Sequence, residues 1–284
     1  MKLIAIDLDG TLLNAQSVIS EENKRAIKKA LDSDCIVAIS TGRATFDVKS
    51  LLGDLDIPII AANGGTVHDF QYEPLSHLTL DKTVAAEVAD YLTNENIYFE
   101  VYTEDALLSP FDGEEKLKAE LDIVQSANPD EDYETLWQGA LTQFKQFGIK
   151  PVPDIHEIFR SNENVYKLLC FSFDSEKLLK ARTILEENSA LSITSSGKHI
   201  LEILPKESGK GRAVKLIAEK YQIPKENIYA IGDSPNDISM FKEADNRIAM
   251  ANAMDELKEM STYVTKSNVE NGVAYFIENV LLKK

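Results

Sequence analysis

The sequence predicts an α/β protein in which the two ends of the chain build one parallel sheet and the middle forms an inserted α+β segment. Three observations lead there. Short apolar runs alternate with helical patterns at both ends. The middle third carries longer strands dominated by aromatic and β-branched residues. Polar motifs recur at the carboxyl ends of the apolar runs. With 284 residues the chain is long enough for two compact units.

Leu3 to Ile6 reads as the first strand. Ser20 stands before Glu21 and Glu22, an N-cap with acids in the first turn, and Ile27, Ala30 and Leu31 follow at helical spacing. Ile36 to Ile39 is the second strand, an amphipathic stretch follows, and Ile59 to Ala62 is the third. Such continuous apolar runs suit parallel strands covered on both faces. The last third repeats the pattern, with a helix from Gly211 to Tyr221, a strand Ile228 to Ile231, a helix Asn236 to Ala244, and strands Arg247 to Met250 and Tyr263 to Thr265.

In the middle, a helical pattern at Val84, Val88 and Leu92 leads to strands at Ile97 to Tyr102 and Tyr166 to Phe173. Leu191 to Thr194 and His199 to Leu204 flank a Ser196-Gly197 turn, a hairpin signal, so this sheet is read as antiparallel. The inserted domain is placed at 82–205, leaving 1–81 and 206–284 for the outer one. The acid-rich stretch Glu104 to Glu134, opposed only by Lys116 and Lys118, reads as solvated helical faces. The aromatic residues of YFEVY, 98–102, read as sheet packing. His68, His77, His156 and His199 show no ligand spacing and are placed at the surface or in turns.

At 44% hydrophobic and 27% charged the composition excludes wholesale disorder. The 47 acidic residues against 30 basic ones give a net charge of -17, a field that repels nucleic acid and anionic membrane. An anionic substrate therefore needs a local cation. Cys35 and Cys170 sit in apolar runs and offer neither a disulfide framework nor a zinc site. Asp7 follows Lys2 too soon for a signal peptide, and no run approaches the roughly eighteen apolar residues of a membrane span, so a cytoplasmic location is expected.

Asp7-Leu8-Asp9-Gly10-Thr11 follows the strand LIAI directly. Two carboxylates at i and i+2 of a strand end can face one side while Gly10 lets the chain turn away, as an acid/base pair or a metal site requires. A bare D-x-D also serves as a helix cap or turn. It is not a calcium-binding EF-hand loop, whose glycine would fall at Leu12 and whose acid at Val18. Gly232-Asp233-Ser234-Pro235-Asn236-Asp237 follows IYAI and offers hard oxygen ligands, or merely a turn and cap. Ser40-Thr41-Gly42-Arg43 follows IVAI with a hydroxyl, a loop amide and a cation for phosphate oxygens. Lys210 lies between two glycines before a helical pattern, where it can place a point charge on phosphate, without the spacing of a P-loop. Asn63-Gly64-Gly65 reads as a turn. The shared position of these motifs at the carboxyl edge of a parallel sheet, where α/β ligand sites lie, joins them into one site.

The ordered set DLDGT, STGR, SGKGR and GDSPND resembles the four motifs of the haloacid dehalogenase-like (HAD) hydrolase superfamily. The long insertion between the second and third motifs resembles the type IIB cap of its Cof-type phosphatases. The likeness extends to ANGG, ILEILPK, AMANA and TKSNVENGVA, and departs at Ala251, where relatives usually carry glycine. It implies a Rossmann-like HAD core with an α+β cap that sets specificity and closes over the site, with hinges near Leu80 to Lys82 and Leu204 to Lys206.

By this resemblance Asp7 is the nucleophile that becomes an aspartyl phosphate, and Asp9 is the general acid that then serves as base. Mg²⁺ is expected on the Asp7 side chain, the Asp9 carbonyl and Asp233. Leu8, Thr41, Gly42, Lys210 and Asn236 match phosphate-binding positions, with Asp237 and Arg43 behind them. The expected activity is hydrolysis of a small phosphorylated metabolite such as a sugar phosphate, flavin mononucleotide or a nucleotide, by a monomer or weak homo-oligomer. A phosphomutase or phosphotransferase of the same fold is the alternative. A non-catalytic phosphometabolite sensor would carry a substituted Asp7 or Asp9, and both aspartates are present.

Overall fold

The computed structural model describes residues 1–127, 134, 137, 138, 141 and 149–283. Met1–Leu78 together with Glu207–Lys284 forms one compact unit, and Thr79–Lys206 forms another. Among the described residues, no helix is long and apolar enough to cross a membrane.

The first unit begins with β1 (Lys2–Ile6), α1 (Glu21–Leu31), β2 (Cys35–Ser40), α2 (Thr45–Leu52), β3 (Ile59–Ala61), β4 (Thr66–His68) and β5 (Pro74–His77). Ser20 caps α1 by accepting from the Asn23 amide at 3.1 Å, with Glu21 and Glu22 in the first turn and Lys28 and Lys29 in the last, all favourable to the helix dipole. The second unit holds α3 (Lys82–Asn94), β6 (Tyr98–Tyr102), β7 (Leu107–Pro110), α4 (Gly113–Ala127), β8 (Ile149–Val152), α5 (His156–Arg160), β9 (Lys167–Phe171), α6 (Ser175–Glu186), β10 (Leu191–Thr194) and β11 (Ile200–Pro205). The chain then returns to the first unit through α7 (Lys210–Lys220), β12 (Ile228–Gly232), α8 (Ile238–Lys242), β13 (Asn246–Ala249), α9 (Asp255–Met260), β14 (Tyr263–Val264) and α10 (Gly272–Phe276).

In the first unit the strands lie in the order β14-β13-β12-β1-β2-β3-β4-β5. From β14 to β3 the neighbours are parallel, and β1 occupies the middle with Ile6 beside Ile39 on one side and Ile231 on the other. Every residue of β2 is buried, as expected of a strand covered on both faces. The sequence reading has no counterpart for β4 and β5, which extend the sheet in antiparallel fashion. These strands are short and polar, and β5 is largely exposed, so they lack the apolar run that marks the others. The expected helix from Asn236 to Ala244 is a tight turn at Pro235–Asp237 followed by the short α8, because Pro235 and the Ser234 cap impose a separate start.

In the second unit the order is β10-β11-β9-β6-β7-β8. The hairpin of β10 and β11 is antiparallel, with Ile193 opposite Ile203, while β7 and β8 pair in parallel. Side chains alternate by face: Phe99, Val101, Leu168, Cys170, Leu201 and Ile203 join the core with α3 and α6, whereas Tyr98 and Phe171 pack with Leu117 and Leu121 of α4. YFEVY is thus a fully buried strand.

Two expectations need correction. The stretch from Glu104 is not only a solvated face: it contains β7, and the Glu120 carboxylate is buried, accepting from the Phe173 amide at 2.7 Å, from Ser172 Oγ and from Lys177 Nζ. Its end at Glu134 reaches beyond the continuously described residues. His68 is also buried, on β4, where desolvation, with Lys49 and His77 adding to it, pushes its pKa down to about 4. Both cysteines are free and buried, and burial pushes the Cys170 thiol up to about 12.

Candidate active site

The loops leaving the adjacent parallel strands β12, β1 and β2 carry three of the four motifs, and the start of α7 carries the fourth. Asp7 continues β1, its amide donating to the Ile231 carbonyl at 3.0 Å, and is only 4% exposed. The chain then turns sharply through Gly10 at φ 78°. A Cβ at Gly10 would stand 2.4 Å from Asp233 Oδ2, so glycine is required both by conformation and by the close approach of the β12 loop. Thr11 Oγ1 donates to Asp233 Oδ1 at 2.8 Å and ties the two loops together.

Lys210, the first residue of α7, is fully buried and donates to Asp7 Oδ1 and Asp237 Oδ1, each at 2.6 Å. Asp237 Oδ2 in turn accepts from the Asp233 and Ser234 amides at 2.9 and 3.0 Å. Both oxygens of Asp237 are therefore engaged in orienting the lysine and the loop. Oxygens of Asp7, Asp233 and Asp237 lie within 4.8 Å of one another. Three carboxylates around one ammonium carry a net charge of two minus when all are ionised. Burial, reinforced by Asp237 and Asp233, raises the Asp7 pKa well above its ordinary value despite the Lys210 ion pair. Burial and Asp237 push Asp233 up to about 6. Burial opposes the charge on Lys210, but Asp237 and Asp7 outweigh it and hold the ammonium above its usual range. A hard divalent cation suits this donor set, since it neutralises the excess charge and prefers carboxylate oxygen.

Asp9 points elsewhere. Its side chain is 55% exposed and accepts a two-pronged ion pair from Arg43, Nε to Oδ2 at 2.8 Å and one terminal nitrogen to Oδ1 at 2.7 Å. The other terminal nitrogen of Arg43 donates to Asp47 Oδ2 at 2.8 Å, one turn along on α2. Arg43 thus faces two carboxylates, and the structure does not bring the Asp9 side chain into the Asp7–Asp233–Asp237 cluster. Thr41 is buried, its amide bonded to the Ile60 carbonyl and its Oγ1 accepting from the Arg43 amide at 3.2 Å. Gly42 is partly exposed between them, and Leu8 is fully buried behind Asp7.

The ANGG segment does more than turn. Ala62, Asn63 and Gly64 all have positive φ, at 47°, 52° and 88°. The Asn63 amide donates to the Thr41 carbonyl at 2.9 Å, its carbonyl accepts from Ser208 Oγ at 3.2 Å, and its Oδ1 accepts from Asn236 Nδ2 at 3.2 Å. One residue therefore joins the loops of three motifs, through its backbone amide, its carbonyl and its side chain. Sequence reasoning missed this role, and it also missed Thr11, Asp47 and Ser234 as partners of Asp233 and Arg43. The i, i+4 spacing of Arg43 and Asp47 on a helical stretch was the one available signal.

Comparisons with known proteins extend this geometry. The description "haloacid dehalogenase-like hydrolase" matches residues 4–277. The 5-amino-6-(5-phospho-D-ribitylamino)uracil phosphatase YwtE of Bacillus subtilis is 65% identical over 281 residues, covering 99% of this chain and 98% of that protein. A solved haloacid dehalogenase-like hydrolase from B. subtilis is 39% identical with a TM-score of 0.87, over 99% of this chain and 100% of that one. The subclass IIB sugar phosphatase BT4131 shares the fold at a TM-score of 0.75, with 19% identity and 98% of each chain covered. With nearly its whole length matched and its motif loops set around one sheet edge, the chain belongs to the haloacid dehalogenase-like hydrolase family.

Proposed function

We propose that the chain is a Mg²⁺-dependent phosphomonoesterase that works through an aspartyl phosphate on Asp7. The observation that carries this reading is the buried Lys210 bridging Asp7 and Asp237 beside Asp233, an anion-binding cation inside a carboxylate cluster. Asp7 Oδ attacks phosphorus, the bond from phosphorus to the alcohol oxygen breaks, and Asp9 protonates the departing alkoxide. Asp9, now ionised, takes a proton from water as that water attacks phosphorus, which frees Asp7 and releases phosphate. Asp9 accepts from Arg43 through both carboxylate oxygens, so proton delivery in the first step requires that pairing to loosen. Lys210, Thr41, the amides of Leu8 and Gly42, and Asn236 stabilise the phosphoryl oxygens, while Asp237 orients Lys210. Bound to Asp7, Asp233 and the Asp9 carbonyl, magnesium would supply positive charge that screens the approach of Asp7 to an anionic ester.

The insertion, residues 82–205, is read as the part that selects the alcohol portion of the substrate. YwtE of B. subtilis is named for action on 5-amino-6-(5-phospho-D-ribitylamino)uracil, and that ester is the first substrate we assign to this chain. The test is phosphate release from that ester, flavin mononucleotide, sugar phosphates and nucleotides, with and without Mg²⁺, using Asp7→Asn as control. Release that depends on both Mg²⁺ and Asp7, with the ribityl ester highest in kcat/KM, is expected. Release that persists in Asp7→Asn overturns the mechanism, and a different leading ester overturns the substrate.

A further inference from the structure

Asn63 and Asn236 are 1% and 7% exposed, and their amides face one another at 3.2 Å. Among the described residues, Asn63 Nδ2 and Asn236 Oδ1 have no protein hydrogen-bond partner. Exchanging the oxygen and nitrogen positions of both amides leaves the same remainder, one amide NH₂ and one amide carbonyl. A buried amide group without a partner costs stability, so a pair kept in this form points to a ligand. Its position is consistent with that. Asn63 is fixed by backbone bonds to Thr41 and Ser208, and its neighbour Gly64 packs so closely that a Cβ there would lie 2.5 Å from the carbonyl of Gly209, next to Lys210. Three consecutive positive φ values hold the side chain there, and asparagine tolerates that conformation better than other residues with a Cβ.

We infer that Asn63 is a substrate-binding residue. As placed, Asn63 Nδ2 donates to a phosphoryl oxygen, while Asn236, oriented by its bond to Asn63 Oδ1, turns its carbonyl to a hydroxyl on the alcohol portion of the ester and keeps its second amide hydrogen for phosphate. The pair thereby favours phosphate esters of polyols over esters without hydroxyl groups. This rests on the phosphatase reading for its substrate class, but the phosphate contact itself can be tested by binding alone.

The experiment measures inorganic phosphate binding by calorimetry in Mg²⁺, together with turnover, in wild type, Asn63→Gly and Asn63→Asp. Glycine keeps the left-handed backbone and removes the amide. Aspartate keeps the shape and replaces the donor with an anion facing the phosphate. A hydrogen bond to a charged oxygen predicts phosphate binding about 10- to 100-fold weaker in Asn63→Gly and weaker still in Asn63→Asp. The loss of kcat/KM in Asn63→Gly should be larger for a polyol phosphate than for p-nitrophenyl phosphate. Unchanged phosphate binding in both variants overturns the inference, including where only the melting temperature falls, which is the signature of a structural amide. Equal losses on the two esters overturn the carbonyl contact. Wild type that binds phosphate through Asn63 but releases none from any ester would overturn the phosphatase reading and leave the binding residue standing.

Discussion

Replacing Asp233 by asparagine should make the metal-free protein more stable while abolishing activity. Asp233 shares its site with Asp7 and Asp237, and its pKa rises from 3.8 to about 6 through burial and the Asp237 charge. A folded-state pKa above the unfolded value means that the unfolded chain releases this proton first as pH rises. Stability is therefore lost between about pH 4 and pH 6, and the full penalty holds above that window. A shift of about two units corresponds to roughly 3 kcal/mol. Asparagine keeps the shape but gives up part of the hydrogen bonding from Thr11 and Ser234, which offsets about 0.5–1.5 kcal/mol. The net expectation at pH 7.5 is a gain of about 1.5–2.5 kcal/mol, or a rise in Tm of about 3–10 °C for a unit of this size. Scanning calorimetry in EDTA at pH 7.5 and pH 4.5 measures it. The gain should vanish at pH 4.5, where wild-type Asp233 is protonated, and Mg²⁺ should raise the Tm of wild type but not of the variant. An Asp233→Asn protein that melts at or below wild type in EDTA at pH 7.5 would refute the claim that the cluster is held together against its own repulsion.

Asp7→Asn should remove turnover and leave the melting profile in EDTA unchanged or shifted upward; turnover near wild type counts against Asp7 as nucleophile. Lys210→Met leaves Asp7 and Asp237 buried without their cation, so thermal melting should show a loss of about 3–5 kcal/mol. A change within 1 kcal/mol would show that the two carboxylates do not depend on the lysine. Because Arg43 donates to Asp9 through two nitrogens, Arg43→Gln should lower kcat about tenfold or more with little change in KM, yet cost nothing further in an Asp9→Asn background. Additive losses in that cycle would mean that Arg43 acts on substrate directly.

The parallel core was legible because β1, β2 and β12 are buried on both faces and leave continuous apolar runs in the sequence. The fold class follows from those runs, and the family match and the structural likenesses agree with it. The hairpin of β4 and β5 was not legible, since β4 is only three residues long with two of them polar, and β5 is largely exposed, so neither leaves an apolar run, and their pairing depends on β3 already being in place. For the site, the motifs named the residues that now stand together, Asp7, Lys210, Asp233 and Asp237. They could not show which oxygen faces which donor. The pairing of Asp9 with Arg43 crosses two loops, and the contact of Asn63 with Asn236 spans 173 positions. Such contacts are set by how the strand ends are stacked, which local patterning does not encode. Glu120 shows the same limit, because its acid-rich neighbourhood signals solvent while its own partners lie on residues 172, 173 and 177.

The central position of β1 has a consequence for the order of synthesis. Its two neighbours in the sheet, β2 and β12, are made at different times, with Thr79–Lys206 translated between them. At about 5–20 residues per second this stretch takes roughly 6–26 s to emerge from the ribosome. Throughout that interval β1 exposes one unpaired edge of an apolar strand, the kind that invites association between nascent chains. Over the same interval Asp7 lacks the lysine that neutralises it. The inserted unit, continuous in sequence, can complete its own sheet first, so the unit that holds Asp7, Lys210 and Asp233 is the last to close.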